Sequence, residues 1–206
     1  MLKNEQRLRL LNYQNNSIRV IQNLENLPNL IFLDMYNNKL TTLDGPVSTL
    51  RGLRVLMVGK NRITEITNLS NLKKLDVLDL HSNDIHTISG LEGLSDLRVL
   101  NLAGNKIRTV TNLSSLASLT ELNLRRNSIE RILDIDSIPS LQRIFLSHNL
   151  VRTLSDIKCI FNLKSLIEFS LDGNPIAETE KYRQSIVSEI PGYIFSALFD
   201  FHDDNK

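Results

Sequence analysis

The chain has 206 residues, of which 23 are acidic and 24 are Lys or Arg, so its formal net charge is +1. This balance removes the bulk electrostatic argument for nucleic acid, which is not predicted as a partner. No apolar run is long enough to span a bilayer and no signal segment begins at Met1, so no membrane association is predicted. The single cysteine, Cys159, favours a reducing, cytoplasmic compartment.

One phrase recurs along the chain: an apolar residue, then xxLxLxxN, then an apolar residue two places on. One copy reads Leu75, Leu78, Leu80, Asn83 and Ile85. The spacing of about 22 residues falls in the range of leucine-rich repeats. The sequence therefore predicts an α/β solenoid of eight repeats over residues 1–176. The eight asparagines that end the phrases are Asn16, Asn38, Asn61, Asn83, Asn105, Asn127, Asn149 and Asn174.

Each repeat divides into two predicted halves. The xLxL segment alternates with period two and predicts a short parallel strand on the concave side, with its leucines pointing inward. The asparagine ends the strand, where its amide can bond to the backbone of the turn, so we expect a structural role and no binding role. The return half carries apolar residues at every third position, which favours 3₁₀ turns and irregular coil on the convex side.

Two repeats are longer than the others. The first holds one extra residue at Gly45-Pro46, which we expect to be absorbed in a turn. The second holds three extra residues around positions 159 to 164, where we expect a helical turn and a small, buried, unreactive Cys159. Glycosylation-type triplets begin at Asn15, Asn68 and Asn112, and we interpret them as chance.

Residues 177–206 differ from the repeats and predict a C-terminal helical cap followed by a polar tail. Ile186, Val187 and Ile190 lie on one face of a helix that ends at Pro191. Such a cap covers the last repeat of a solenoid. No equivalent cap precedes Leu8, so we expect the natural protein to continue upstream.

The residues between the inward leucines are predicted to face the concave surface. Exposed aromatic residues beside arginines are typical of protein interfaces. The alternative interpretation is a solvated face with a partly buried valine column. The residues predicted to bind a protein partner are Phe32, Tyr36, Met57, Asp79, His81, Arg125, Arg126, Arg143, Phe145 and His148.

The sequence predicts no enzyme. Asp79 and His81 share one strand face, but Asp34 lies two repeats away, about 10 Å at the usual strand spacing. No nucleophile elbow, HExxH motif, paired CxxC or phosphate-binding glycine loop occurs. We therefore predict no catalytic residue, no metal and no cofactor.

The repeats resemble the short intracellular leucine-rich-repeat class typified by a regulatory subunit of protein phosphatase 1. Gly173-Asn174-Pro175, Tyr182-Arg183 and Pro191 look like the C-terminal cap of that class. A closer resemblance is to the leucine-rich-repeat subunit of the tubulin polyglutamylase complex. It is carried by LRVLMVGKNRITEITNLSNLKKLDVLDLHSNDI at 53–85, LRVLNLAGNKI at 97–107 and SLTELNLRRNSI at 118–129.

This resemblance implies a non-catalytic subunit that helps to assemble a complex around a tubulin-tyrosine-ligase-like glutamyl ligase. Its expected partners are that ligase, the companion subunits and tubulin itself, at the cytoskeleton, cilium or basal body. Two alternatives remain open. The chain could regulate protein phosphatase 1, which its partly basic later columns fit less well, or it could be a ciliary dynein-associated repeat protein.

Overall fold

The structure is a computed structural model, and it describes residues 5–179. The predicted cap and tail lie outside the described residues from position 180 onward. Eight short strands, one for each repeat, form a single parallel sheet in the order β1-β2-β3-β4-β5-β7-β9-β10. These strands are β1 Leu10–Asn12, β2 Phe32–Asp34, β3 Val55–Met57, β4 Val77–Asp79, β5 Val99–Asn101, β7 Glu121–Asn123, β9 Arg143–Phe145 and β10 Glu168–Ser170.

The predicted solenoid is confirmed. The return segments contain 3₁₀ helices and irregular coil, and no α-helix is present between residues 5 and 179. The insertion at Gly45-Pro46 begins a 3₁₀ helix, and the longer insertion overlaps the C-terminal part of a nine-residue 3₁₀ helix. The four 3₁₀ helices of the described chain are Pro46–Thr49, Ile135–Ser137, Leu154–Asn162 and Pro175–Glu178.

A second, two-stranded sheet on the return side was not predicted. It pairs β6, Thr109–Val110, with β8, Arg131–Ile132, in parallel register. Val110 and Ile132, both β-branched, are buried while Thr109 and Arg131 are exposed. The segments therefore have the alternation of a strand as well as the spacing of a 3₁₀ turn.

The core is one continuous stack of aliphatic side chains. The central residue of each strand from Leu33 to Phe169 is fully buried, and so are the return residues Ile63, Ile66 and Leu69 of the third repeat. Burying one such side chain contributes about 1.5 to 3 kcal/mol. Because each repeat packs only against its neighbours, the stability of the solenoid depends on the contacts between adjacent repeats.

The asparagines form the predicted ladder, and each one from Asn38 to Asn174 joins two repeats. Asn83 shows the pattern: its Oδ1 accepts from the Ile63 N–H at 2.9 Å, and its Nδ2 donates to the Val58 and Leu80 carbonyls at 3.0 and 2.9 Å. Ile63 and Val58 belong to the preceding repeat. Asn16, in the first repeat, is exposed and donates only to carbonyls of its own repeat.

Two backbone positions recur in the left-handed region from repeat to repeat. The first directly precedes the ladder asparagine and is occupied by Asn15, Asn37, Lys60, Ser82, Gly104, Arg126, His148 and Gly173. The second lies in the return half and is occupied by Asn23, Gly45, Asn68, Gly90, Asn112 and Asp134. Gly and Asn tolerate this conformation best. This requirement accounts for the asparagines of all three glycosylation-type triplets.

Candidate partner-binding face

The solvent-facing side of the eight-stranded sheet, which we call the concave face, carries two columns of side chains in register. Continuous parallel pairing places each residue beside its counterpart in the next repeat, as predicted. The first column is Leu10, Phe32, Val55, Val77, Val99, Glu121, Arg143 and Glu168, and the second is Asn12, Asp34, Met57, Asp79, Asn101, Asn123, Phe145 and Ser170.

In the early repeats, a polar cluster of Tyr36, Lys60, Asp79 and His81 adjoins the apolar Phe32 and Met57. The Tyr36 and His81 rings lie 5.5 Å apart between centroids, and the Lys60 ammonium lies 5.3 Å from the centre of the Tyr36 ring. Asp79 Oδ1 is 2.7 Å from His81 Nδ1 and also accepts from the His81 backbone N–H at 2.9 Å. Asp79 is only 9% exposed, so it positions the imidazole more than it offers a surface of its own.

Gly59 allows this arrangement. It occupies the position between Tyr36 and His81 in their shared column, and a Cβ placed there would lie 2.5 Å from the imidazole Cε1 and Nδ1. The absent side chain leaves space for His81 to fold across the intervening strand towards Tyr36. The spacing of the repeats does not predict this role of Gly59, because it depends on the His81 side chain of the next repeat.

In the later repeats, Arg125 covers Phe145. The guanidinium carbon is 4.3 Å from the centre of the ring, a geometry that orients the arginine while its charge stays exposed. Arg143 instead pairs with Glu121, its neighbour in the first column, with Nε and Nη2 both 2.9 Å from Glu121 Oε2. Because that carboxylate already holds Arg143, Arg125 and Arg126 are the freer cations of this group.

At the end of β9 and β10, a hydroxyl–carboxylate network lies beneath His148. The buried Ser147 hydroxyl donates to the Asp172 carboxylate, and the Ser170 and Ser147 hydroxyl oxygens are 2.8 Å apart. The His148 ring packs over Gly173 and its Nε2 is 4.0 Å from Asp172 Oδ2. These contacts fix the last described strand and leave His148 at the exposed rim.

The ten predicted residues form an early group and a later group, as their positions along the repeats indicate. Phe32, Tyr36, Met57, Asp79 and His81 belong to the early group, and the other five belong to the later one. The floor between them is made of the small or polar residues Asn101, Ala103 and Gly104, of which none is fully exposed. A partner that contacts both groups must cross this floor.

Within residues 5–179, no group of three or more His, Cys, Asp or Glu side chains is arranged to hold a metal ion. Among those same residues, no helix is long and apolar enough to cross a membrane. Cys159 is half-buried and its Sγ donates to the Ile132 carbonyl at 3.1 Å. Burial raises the pKa of the thiol, which keeps it protonated and makes it a poor nucleophile.

Comparison with models of known protein families identifies the same repeats. A model described as "Leucine-rich repeat" covers residues 77–202, and a second, "Leucine Rich repeats (2 copies)", covers residues 6–48 and 51–93. The chain belongs to the leucine-rich repeat family. Proteins with this fold are typically non-enzymatic interaction scaffolds, and the fold implies protein partners.

One curated relative is human Leucine-rich repeat-containing protein 49, which is 49% identical over 51 residues. That segment is 25% of this chain and 7% of the human protein, so the chain matches a small part of its relative.

Solved structures share the fold. A leucine-rich repeat protein of Leptospira interrogans has a TM-score of 0.82 and 28% identity over 94% of this chain, and the chain spans 49% of that protein. An internalin, InlF, of Listeria monocytogenes has a TM-score of 0.70 over 93% of this chain and 62% of its own, but its 24% identity shows the fold alone. A chain of the Drosophila melanogaster SNF/U2A′ complex has a TM-score of 0.55 and 29% identity, and covers 59% of this chain and 71% of its own.

Proposed function

We propose that this protein is a non-catalytic scaffold that holds a protein partner on its concave face. The observation that carries the proposal is the pair of aromatic and cationic groups along that face, above all Arg125 on Phe145. Arginine and aromatic residues are the side chains that protein interfaces enrich and that contribute most of their binding energy. Arg125 and Phe145 already hold each other in place, so little conformational entropy is lost when a partner packs against the pair.

The apolar part of the early group supports the same role. Phe32, Val55 and Met57 are neighbours across β2 and β3, and all three are partly exposed. In the column beside them, Tyr36 and His81 offer polar edges. An apolar centre with a polar rim is the usual composition of a protein-binding surface.

For the assembly in which the scaffold acts, we propose a tubulin polyglutamylase complex, with a tubulin-tyrosine-ligase-like glutamyl ligase and its companion subunits as partners. The support is the resemblance of residues 53–85, 97–107 and 118–129 to the repeat subunit of that complex. The SNF/U2A′ structure gives a general precedent, since a chain of this fold belongs to a protein complex there. The location that follows is the cytoplasm, at the cytoskeleton, cilium or basal body.

Affinity capture from ciliated-cell extract, with the chain as bait and mass spectrometry as the readout, tests the proposal. Enrichment of a tubulin glutamyl ligase together with its companion subunits is the expected result. Enrichment of protein phosphatase 1 or of dynein subunits without the ligase would replace the proposed complex by that assembly.

A double variant, Phe145→Ala with Arg125→Glu, maps the surface. We expect it to lower capture at least about tenfold, because it removes a rigid anchor and reverses a charge. Its melting temperature should stay close to that of the parent, since both side chains lie outside the core. Leu133→Ala with Arg152→Glu is the matched control on the return side, where both residues are exposed. A large loss of stability without a specific loss of capture would contradict the concave-face proposal.

A further inference from the structure

Cations collect where the strands of the sheet end. Three columns flank the turn: the residues two places before, one place before and one place after the ladder asparagines. From the second repeat to the last described one, these columns hold two carboxylates, Asp84 and Asp172. We call their six cations the basic strip: Lys39, Lys60, Arg62, Lys106, Arg125 and Arg126.

The strip is a continuous structural feature because its columns are stacked by backbone hydrogen bonds. The N–H of Lys60 donates to the His81 carbonyl at 2.8 Å, and that of Arg126 to the Ser147 carbonyl at 2.9 Å. The column after the asparagines is also tied to the preceding repeat, since the Arg62 N–H donates to the carbonyl of Leu40, the neighbour of Lys39, at 2.8 Å. Lys39 and Arg126 are four strand steps apart, about 19 Å at the usual spacing.

Most of the positive charge on the strip has no internal counterpart. Of the six strip cations, only Lys106 has a carboxylate of the described residues within 4 Å, that of Asp84 at 2.6 Å. Asp172 already accepts the Ser147 hydroxyl. Lys39 is half-buried and the other five cations are exposed. The strip therefore presents a row of solvated cations, which a partner with negative charge would neutralise.

The opposite edge of the sheet, where the strands begin, also carries cations but mixes them with acids. Arg98 forms a two-pronged ion pair with Asp76, with both contacts at 2.6 Å. The bond from Arg98 holds the pKa of Asp76 below its usual value. A depression beside this pair is lined by Arg54, Lys74 and a second carboxylate, Asp96. An anionic partner at this edge would meet carboxylates as well as cations. This edge therefore attracts negative charge less strongly than the basic strip does.

We propose that the basic strip binds an extended acidic segment of a protein partner, alongside the body that the concave face holds. The inference deepens the proposed scaffold function and rests on it. Single-stranded nucleic acid fits less well, because such binding stacks bases on open aromatic faces. Here Lys60 lies over the Tyr36 ring at 5.3 Å and Arg125 over the Phe145 ring at 4.3 Å.

The test uses a fluorescein-labelled peptide of alternating Glu and Ser, about ten residues long, which reaches about 33 Å when extended and so spans the strip. Fluorescence anisotropy measures its affinity for the chain at low ionic strength, with a Gln-Ser peptide as the neutral control. The strip variant is Arg62→Ser with Arg126→Gly, because Ser128 and Gly104 occupy the equivalent positions in other repeats. The comparison variant is Arg51→Ser with Arg54→Thr, which copies Ser95 and Thr120 at the other edge.

We expect the strip variant to bind the acidic peptide about tenfold more weakly, since two exposed ion pairs are lost. Affinity should fall as salt is raised, and the comparison variant should lose much less. Equal losses in both variants would mean non-specific attraction and would overturn the proposal. Tighter, strip-dependent binding of a labelled oligouridine of similar length would overturn it in favour of nucleic acid.

One further variant separates this inference from the scaffold function. Phe32→Ser lies outside the strip, so it should lower partner capture while the acidic peptide still binds. Strip-dependent peptide binding together with capture that ignores every concave variant would leave the strip in place and remove the concave-face proposal.

Discussion

The buried and the solvent-facing positions of the same strands differ in how much their residue type varies from repeat to repeat. Leu33, Leu56, Leu78 and their counterparts are equivalent and fully buried in every repeat from the second onward, and one side-chain type nearly suffices. The neighbouring positions on the concave face change from Met57 to Asp79 to Phe145 along one column. Stacking fixes the inner residues because each must fit the one beside it, while the outer residues are free to serve a partner. Along each strand, residues that determine the common fold therefore alternate with residues that can determine partner specificity.

The largest effect is expected from a substitution in the buried asparagine ladder. Asn105→Ala should lower the free energy of unfolding by about 3 to 5 kcal/mol, because it leaves buried backbone groups without partners. These groups are the Ile85 N–H and the Leu80 and Leu102 carbonyls, each 3.0 Å from the Asn105 amide. Urea denaturation followed by circular dichroism measures the change.

Asn16→Ala is the matched control for this prediction. Asn16 is exposed and bonds only to carbonyls of its own turn, so water can replace its contacts. We expect a loss below about 1 kcal/mol. Similar losses at both positions would show that the contribution of the ladder does not depend on burial, and would contradict this account of Asn105.

A smaller effect is expected at Gly59, where the backbone leaves space for the His81 side chain of the concave face. Gly59→Ala should cost about 1 to 2 kcal/mol, because the new Cβ displaces the His81 ring from Asp79 and from Tyr36. In a His81→Ala background the ring is absent, and the same change should cost almost nothing. This double-mutant cycle is read by thermal unfolding, and equal costs in the two backgrounds would rule out the packing of His81 over Gly59.

The smallest effect is a gain. Arg126 holds a φ of 55° before its ladder asparagine, where glycine occurs at positions 104 and 173. Arg126→Gly relieves the left-handed strain but adds chain entropy to the unfolded state, so we expect a net stabilisation of about 0.5 kcal/mol. Lys74→Gly, outside this position, should not stabilise. A drop in melting temperature for Arg126→Gly would mean that its side chain contributes contacts to the fold.

The sequence predicted the parts of the molecule that follow from repetition. The leucine phrase predicted the register of the eight strands, and the three extra residues near Cys159 predicted a helical segment. The pairing of Arg143 with Glu121 also follows from that register, since they lie side by side in one column. These features need only spacing, which the sequence states directly.

The features that escaped prediction depend on single side chains or on small energy differences. The fold of His81 over Gly59 requires a side-chain conformation chosen by a neighbour in another repeat. The pairing of β6 with β8 was not predicted, because a 3₁₀ turn and a strand would both bury Val110 and Ile132. The sequence pattern therefore does not distinguish the two structures here. The left-handed positions could have been found from the column of Asn and Gly residues that precedes the ladder.

The asparagine ladder also gives the chain a direction of assembly. Each amide from Asn38 to Asn174 reaches back to the repeat before it, as when Asn127 holds the Ile107 N–H at 3.0 Å and the Leu102 carbonyl at 2.9 Å. A repeat is therefore completed by the one that follows it in the sequence. During synthesis, we therefore expect the turn of each coil to be completed only after the next stretch of about 22 residues has left the ribosome.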